Sequence, residues 1–353
     1  MPDNFRSVVL GCSLASDRLY YQVWTFPPLR FLYFNIAQSL AVFYGRNRAD
    51  YYLTEGLPLL LTTALPFALV GLWQALSGRS LRASPSPEKE PRVLRRLAWV
   101  SLIVTLSLSL ISHKEVRFLY PILPFLHVLA AEPLSRFIPP QLPRSRKVIL
   151  TLLLATNVLI AGYVSQVHQR GVMDVLSYLR DQHEAHNRLS ALPAGFGNER
   201  VRPIANTTVA FLMPCHSTPW RSHLIYSEID AWALTCEPPL DVPLSERSTY
   251  LDEADQFYIQ PGPAAWLKDN MEHVQTVMAS GSRSSNHWAR QDPKYKREGR
   301  RPWPQYLVFF EQLEPVMKDV LGGSMYRECW RGFNSHFHDD GRRTGDVLVW
   351  CLQ

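Results

Sequence analysis

The sequence lacks the short motifs that mark soluble nucleotide, zinc and serine-hydrolase chemistry. It contains no G-x-G-x-x-G, no P-loop, no H-E-x-x-H and no G-x-S-x-G. Cysteine is scarce, with five in the chain and none in the C-x-x-C or Cys/His spacing of a zinc site. We therefore predict no metal and no bound cofactor.

A secretory signal of ordinary form is also missing. Residues 1–6 are polar, and the apolar stretch 7–15 is too short to cross a bilayer and has no small-residue cleavage site. The stretch is typical of the end of a spanning helix. It predicts an amino-terminally short chain.

Long apolar runs are present, but only in the first half of the chain. Four of them are read as membrane helices, at 57–76, 97–112, 118–131 and 148–164. The alternative is a set of buried helices in a soluble core, since runs of the shortest length occur there too. Four runs within about 110 residues favour the membrane. Pro121 and Pro124 predict a kink in the third.

The basic residues predict the orientation. Segment 77–96 holds six basic and two acidic residues, and 132–147 holds four basic residues and one acidic residue. If all four runs span, these segments share the cytoplasmic side. The opposite face then receives 1–56, the short loop 113–117 and 165–353. Because the net charge of +6 clusters between apolar runs, it predicts a membrane and no nucleic-acid partner.

Three regions follow from this pattern. Residues 1–56 form a truncated span and an aromatic-rich interfacial region, 57–164 a transmembrane region with about four spans, and 165–353 a soluble lumenal domain. The predicted fold is a mainly α multispanning protein followed by an α+β domain, with strands at 306–310 and 347–350. Within the 165–353 domain, residues 280–301 are predicted to be an exposed basic loop, and Asn206 begins an acceptor triplet for N-glycosylation. A flexible linker is predicted at 84–87.

The polar half contains four of the five cysteines, which are Cys215, Cys236, Cys329 and Cys351. Four cysteines allow three different disulfide pairings, and the sequence does not choose among them.

Ionisable residues crowd the short loop between the second and third runs. They are His113, Lys114, Glu115 and Arg117. Lys114 and Arg117 are predicted to hold a phosphate at the membrane surface, while His113 or Glu115 positions a neighbour or moves a proton. The alternative is a loop without a chemical role.

A second group of charged residues precedes the first run, on the same predicted face. It consists of Arg46, Arg48, Asp50 and Glu55, and Asp17 lies further upstream. These side chains are predicted to line the same cleft. Anchoring at the lipid–water interface is the alternative.

A family resemblance rests on these residues. HKEVRFLYPILPF at 113–125 resembles the signature of the dolichol-phosphate-mannose-dependent mannosyltransferases, glycosyltransferase family 22, which have a multispanning GT-C fold. SDRLYYQVWTFPPLRFLYFN, FYGRNRADYYLTEGLPLLL, FLMPCHSTPWRS, WALTCEPPL, DEADQFY and WPQYLVFFEQL resemble its glycosylphosphatidylinositol (GPI) branch. The resemblance implies a multi-pass enzyme of the endoplasmic reticulum with a lumenal site. It implies transfer of an α-1,2-linked third mannose from dolichyl phosphate mannose to the GPI precursor, without a nucleotide sugar.

The resemblance also implies a carboxylate base on an acidic first lumenal loop, which nothing in this sequence matches. Asp17 and Asp50 are the substitutes that the sequence offers. Two rival interpretations are an enzyme of the same family that acts on the dolichol-linked N-glycan precursor, and an inactive truncated membrane remnant. The lipid-linked donor and the GPI precursor are the partners that the resemblance implies, and the sequence does not identify a protein partner.

Overall fold

The computed structural model describes residues 3–34, 38, 40–78, 89–191, 206–243, 245–247, 249–272, 300–338 and 340–352. They form two compact units. Unit 1 comprises Met1–Leu159 with Pro238–Ser248, and unit 2 comprises Ile160–Glu237 with Thr249–Gln353. The predicted linker at 84–87, and all but the last two residues of the predicted loop at 280–301, lie outside the described residues.

Unit 1 opens with helices that expose many of their apolar side chains, although Leu40 is buried. These are α1 (Asp3–Tyr21), α2 (Pro27–Leu32) and a 3-10 helix at Leu40–Tyr44. Leu19, Tyr20 and Trp24 are each at least 75% exposed. Exposed aromatic side chains are typical of the lipid–water boundary.

The first predicted span is helical but irregular. A π-helical turn at Tyr52–Gly56 leads into α3 (Leu57–Leu61), a 3-10 turn at Thr62–Ala64 and α4 (Leu65–Ser77). Prolines stand in the first turns of α3 and α4, where the missing N–H breaks no helical hydrogen bond. Thr62 has a φ of +44°, which a β-branched residue rarely adopts. The backbone is therefore broken within the span.

The remaining helices of unit 1 follow the predicted runs. They are α5 (Lys89–Ser109), a 3-10 helix at Val116–Ile122 that continues as α6 (Leu123–Phe137), and α7 (Arg144–Gln166), which runs on into unit 2. Pro121 lies inside the 3-10 helix and Pro124 in the first turn of α6. The two prolines thus accompany a change of helix type.

Three helical stretches of the described residues are long and apolar enough to cross a membrane. They are Tyr52–Ser77, Val116–Phe137 and Arg144–Asn187, which contain the first, third and fourth predicted runs. The second run is also helical, but basic residues occupy the first half of α5 and shorten its apolar part. The predicted membrane character is confirmed. The chain is mostly helical with a small sheet.

The break in the first span is bound to α7. Asn157 accepts a hydrogen bond from Thr62 Oγ1 at 3.0 Å and donates Nδ2 to Thr63 Oγ1 at 2.7 Å. Polar side chains in a bilayer are stabilised by such interhelical bonds because lipid offers no partner. The strained backbone of Thr62 is therefore fixed by a residue distant in the sequence.

Helices α4 and α6 approach each other closely at Gly71. A Cβ atom at Gly71 would lie 1.9 Å from the carbonyl oxygen of Leu129 and 2.6 Å from its carbonyl carbon. Only glycine fits such an approach of two backbones. The largest buried cluster that includes this region of unit 1 comprises Tyr52, Leu61, Ala68, Leu119, Ile122, Leu126 and Ala130.

Unit 2 is built on a mixed five-stranded sheet. Its strands are β1 (Thr207–Phe211), β2 (Ile229–Ala233), β3 (Tyr306–Phe310), β4 (Tyr326–Gly332) and β5 (Val347–Leu352), in the order β2-β1-β3-β5-β4. Strands β2, β1 and β3 are parallel, and β5 is antiparallel to both β3 and β4. Both strands predicted from the sequence, at 306–310 and 347–350, are present.

Helices cover both faces of this sheet. Helix α8 (Gly171–Ala191) packs on one face, and α10 (Glu253–Tyr258), α11 (Pro263–Asn270) and α12 (Glu314–Val320) contribute to the core on the other. The short α9 (Trp220–His223) follows β1. Side chains of β3 alternate between the two cores: Val308 and Phe310 face α8, and Leu307 and Phe309 face the opposite side. Continuous apolar strands of this kind are typical of a sheet buried on both faces.

Two disulfides form in unit 2, one packed against each core. Cys215 pairs with Cys236 and Cys329 with Cys351, with Cα atoms 6.0 and 5.9 Å apart. Of the three pairings that the sequence allows, the structure selects this one. Cys12 is free and exposed.

Candidate functional site

Backbone hydrogen bonds join the two charged segments that the sequence singles out. The backbone N–H of Asn47 donates to the carbonyl of Ser112 at 3.0 Å. In return, the N–H of Lys114 donates to the side-chain oxygen of Asn47 at 2.8 Å. The loop before the first span and the loop before the 3-10 helix at Val116–Ile122 thus lie side by side in unit 1.

Lys114 is buried at this junction. The residue is only 4% exposed. Its Nζ donates to the carbonyl oxygens of Ile111 at 2.6 Å and Asn47 at 3.4 Å. A buried ammonium needs such partners because its desolvation is costly. In this arrangement the Lys114 charge joins the two loops, and it reaches a phosphate only by giving up these carbonyls.

Glu115 is the centre of a charged triad. Its carboxylate accepts hydrogen bonds from His113 Nε2 at 3.1 Å and from Arg117 Nη2 at 2.7 Å, and it also pairs with Arg117 Nε. Burial alone would raise the pKa of Glu115, but the hydrogen bonds and charges of His113 and Arg117 outweigh it and lower the pKa below its ordinary value. Glu115 is therefore ionised at neutral pH, while the Arg117 side chain remains 67% exposed.

Arg48 and Asp50 form a second ion pair beside the triad. Arg48 Nε and Nη2 donate to the two carboxylate oxygens of Asp50 at 3.0 and 3.1 Å, and Nη2 also reaches Thr54 Oγ1 at 3.2 Å. The Arg48 side chain is 67% exposed. Fork-shaped pairing of this kind fixes the guanidinium plane and leaves its outer edge open to a ligand.

Charged residues of both segments also act on Tyr51. Burial raises the pKa of the Tyr51 hydroxyl first, and the charges of Glu55 and Glu115 raise it further. One carboxylate comes from the π-helical turn at Tyr52–Gly56 and the other from the triad, so charges of both segments act on the same hydroxyl. Arg46 is exposed on the first loop. Asp17 lies on α1, and nothing among the described residues joins it to either loop by a hydrogen bond or an ion pair.

Three residues beneath the loops were missed by the sequence reasoning. Tyr52 and Leu119 are 0% exposed, and a Cβ atom at Gly56 would lie 3.0 and 3.2 Å from them. Asn47 was missed as well, although an amide between two arginines in an otherwise charged loop is an available signal. Tyr52, Leu119 and Gly56 pack together beneath the charged segments, and Asn47 joins the two segments.

The acceptor triplet at Asn206 lies at the start of β1. Asn206 is partly exposed, but Thr208 is 4% exposed and its hydroxyl accepts the backbone N–H of Gln305 at 2.8 Å. The hydroxyl that an N-glycosylation acceptor requires is thus inside the folded sheet.

A cluster of possible metal ligands occurs in the described part of unit 2. Cys215, Cys236 and Asp252 lie together, but the two sulfurs are bonded to each other. The metal-binding thiolates are therefore not available.

Comparisons with known proteins identify the family to which this chain is similar. The model of the Alg9-like mannosyltransferase family matches residues 4–225. The chain is 50% identical to GPI mannosyltransferase 3 of Emericella nidulans, over 98% of this chain and 52% of that protein. It is 49% identical to GPI mannosyltransferase 3 of Aspergillus fumigatus, over 98% of this chain and 45% of that protein.

A more distant relative gives the same picture. The chain is 31% identical to GPI alpha-1,2-mannosyltransferase 3 of the mouse, over 97% of this chain and 50% of that protein. The chain thus spans about half the length of the curated relatives it matches. No solved structure matches it significantly. Because the family model covers more than half of the residues, including both charged loops, the chain belongs to the Alg9-like mannosyltransferase family.

Proposed function

We propose that this chain is part of an α-1,2-mannosyltransferase that transfers mannose from dolichyl phosphate mannose to the GPI-anchor precursor and adds its third mannose. The observation that carries the proposal is the pair of joined loops at the ends of membrane helices. They present the exposed guanidinium groups of Arg117 and Arg48 on a rigid frame made by Lys114 and Asn47. The relatives named for this reaction support the choice of donor and acceptor.

The proposed reaction needs a cationic surface. The acceptor hydroxyl oxygen bonds to the anomeric carbon, the bond from that carbon to the phosphate oxygen breaks, and dolichyl phosphate leaves. The hydroxyl proton passes to a carboxylate base. Arg117 and Arg48 stabilise the negative charge that develops on the phosphate, because a guanidinium matches phosphate geometry. Lys114 adds buried positive charge and holds the loops, and Glu115 and His113 orient Arg117.

The carboxylate base is not assigned to a described residue. Asp50 accepts both donors of Arg48, so its charge already has a partner. Asp17 has no bond to either loop within the described residues. Arg46, exposed on the first loop, and Glu55, exposed on the π-helical turn at Tyr52–Gly56, are proposed to contact the sugar or acceptor.

We also propose that the site and unit 2 face the lumen of the endoplasmic reticulum. Two disulfides in unit 2 support an oxidising compartment. A four-span arrangement is supported by α5, which buries Ala98, Ser101 and Thr105 in the bundle and exposes apolar side chains such as Ile103 and Leu106. An outward apolar face of this kind suits lipid.

The test uses cells that lack addition of the third mannose. In the Emericella nidulans relative, the segment matched by this chain is replaced with this sequence, and lipid-linked intermediates are analysed. We expect the exchange to restore the third mannose. Arg117→Lys, which keeps the charge but loses the fork, is expected to reduce transfer by about a hundred-fold. The control Lys147→Ala changes an exposed cation of the predicted cytoplasmic side and leaves transfer unchanged.

An exchange protein that is stable but restores no third mannose refutes the proposal. Correction of a dolichol-linked N-glycan intermediate instead assigns the chain to that branch of the family. If Arg117→Lys and Lys147→Ala behave alike, the joined loops are not the phosphate site.

A further inference from the structure

A loop of unit 2 places aromatic side chains in an unusual position. Residues 333–338, with the sequence Phe-Asn-Ser-His-Phe-His and here called the aromatic loop, follow β4. Phe337 is 71% exposed and Phe333 is 42% exposed, whereas Asn334 and Ser335 between them are buried. The loop is therefore anchored through its polar residues and presents its apolar ones. Large apolar side chains on a surface usually mark a contact with lipid or protein.

The aromatic loop is bonded to the end of a candidate membrane span. The Tyr163 hydroxyl on α7 is hydrogen-bonded to Nδ1 of His336 at 3.0 Å, and the two rings stack with centroids 6.0 Å apart. The Tyr163 ring also meets the Phe337 ring edge-on at 6.1 Å. Tyr163 belongs to the part of α7 that lies in unit 2, so all of these contacts are internal to one unit.

Two further bonds fix the loop just past the end of α7. His168 Nδ1 is hydrogen-bonded to Ser335 Oγ at 2.7 Å, and the N–H of Arg170 donates to the carbonyl of Asn334 at 3.1 Å. At Gly171 a Cβ atom would lie 2.9 Å from the carbonyl oxygen of Phe333, so the start of α8 closes tightly on the loop. The loop therefore has a fixed position relative to the last turns of the span.

The depth of the span determines what surrounds the loop. The apolar run of α7 ends at Val164, and Ile160 and Val164 on its last turns are 44% and 56% exposed. In a bilayer crossed by this run, Tyr163 lies at the level where tyrosine is enriched, in the layer between hydrocarbon and water. Any group held against Tyr163 lies in the same layer.

We propose that the aromatic loop is a membrane-surface anchor, in which Phe337 and Phe333 enter the lipid layer around the end of α7. The occupant of this surface is the lipid of the bilayer that α7 crosses. The proposal depends neither on which side of the membrane unit 2 occupies nor on the reaction proposed above. It explains why apolar side chains are exposed next to a polar, hydrogen-bonded frame.

The test measures lipid contact at Phe337 in the full chain. Cys12, the free cysteine, is replaced by serine, Phe337→Cys is labelled with an environment-sensitive nitrobenzoxadiazole dye, and the protein is reconstituted in phosphatidylcholine nanodiscs. Lipid carrying a nitroxide at acyl carbon 5 then serves as the quencher. Since interfacial groups enter lipid by about 5–10 Å, we expect the dye emission to shift to the blue and to fall about two-fold.

The control is Ile259→Cys, an exposed apolar site of unit 2 that is 61% exposed and follows α10. We expect less quenching there than at Phe337. Each labelled protein must unfold at the same temperature as its Cys12→Ser parent, and Phe333→Cys replaces Phe337→Cys if the latter does not fold. Water-like emission without quenching overturns the anchor. A blue shift without quenching by the nitroxide lipid also overturns it, and assigns the surface to a protein partner or a second copy.

Discussion

The close approach of α4 and α6 at Gly71 gives the most direct test of the membrane bundle. Replacing Gly71 with alanine puts a methyl group 1.9 Å from the carbonyl oxygen of Leu129, although ordinary van der Waals contact begins at 3.4 Å. The helices must then separate by about 1.5 Å. Overpacking of this size costs about 1–3 kcal/mol, and we expect a value near the upper end because the obstacle is backbone.

The measurement is the free energy of unfolding in bicelles titrated with sodium dodecyl sulfate, followed by far-ultraviolet circular dichroism. Gly162→Ala is the matched control, because no atom lies within 4 Å of a Cβ at that position of α7. It gains helix propensity of up to about 1 kcal/mol and should be neutral or stabilising. A second change, Leu129→Ala in the Gly71→Ala background, should not restore stability, since it leaves the carbonyl in place.

Two results refute this reasoning. If Gly71→Ala and Gly162→Ala change the free energy of unfolding in the same direction and by the same amount, the helices do not approach as described. If Leu129→Ala restores the stability of Gly71→Ala, the obstacle is the side chain and the backbone contact is wrong.

Three further predictions concern single groups. Asn157→Ala removes both bonds to the break in the first span and should lower the free energy of unfolding by about 1–3 kcal/mol, while Thr151→Ala on the exposed face of α7 should not, as measured in the same bicelles. The Glu115 ion pair, with its lowered pKa, should stabilise the protein above the ordinary carboxyl pKa of 4.5 and lose this effect as pH falls through the folded pKa. Thermal scans of Glu115→Gln and the parent should therefore differ at pH 7 and converge at acidic pH; a constant difference contradicts the pairing. Asn206 should carry an endoglycosidase-sensitive glycan if unit 2 is lumenal, because it is added before the sheet closes over Thr208, and the mobility shift should vanish in Asn206→Gln; a shift that persists in Asn206→Gln contradicts the assignment.

The sequence is most informative where one local property decides the structure. Long uncharged runs predict the helices of unit 1, because only apolar length matters to a bilayer. The strand at Tyr306–Phe310 has the predicted limits, since five consecutive apolar residues fit a strand buried on both faces. The second run was predicted as a span from residue 97, but α5 begins earlier, at Lys89 in the basic segment. Helix propensity favours a helix in water as well as in lipid, so it does not mark where a span begins.

Features set by distant contacts were beyond sequence reasoning. The break at Thr62 depends on Asn157, 95 residues further along the chain. Lys114 was predicted to be a phosphate contact from its place among the charged residues of the loop, whereas in the structure it is buried and donates to the carbonyls of Ile111 and Asn47. The disulfide pairing likewise depends on the folded sheet, because Cys215 and Cys236 pack against the core on one face and Cys329 and Cys351 against the core on the other.

The position of β1 inside the sheet has a consequence for timing. Thr208 is held by Gln305, which the ribosome adds 97 residues later. At the usual elongation rates this interval lasts about 5–20 s. If unit 2 enters the lumen as it is made, the triplet at Asn206 is open to a modifying enzyme only until β3 closes against β1. A slower ribosome should raise the fraction of modified chains, and faster folding of β3 against β1 should lower it.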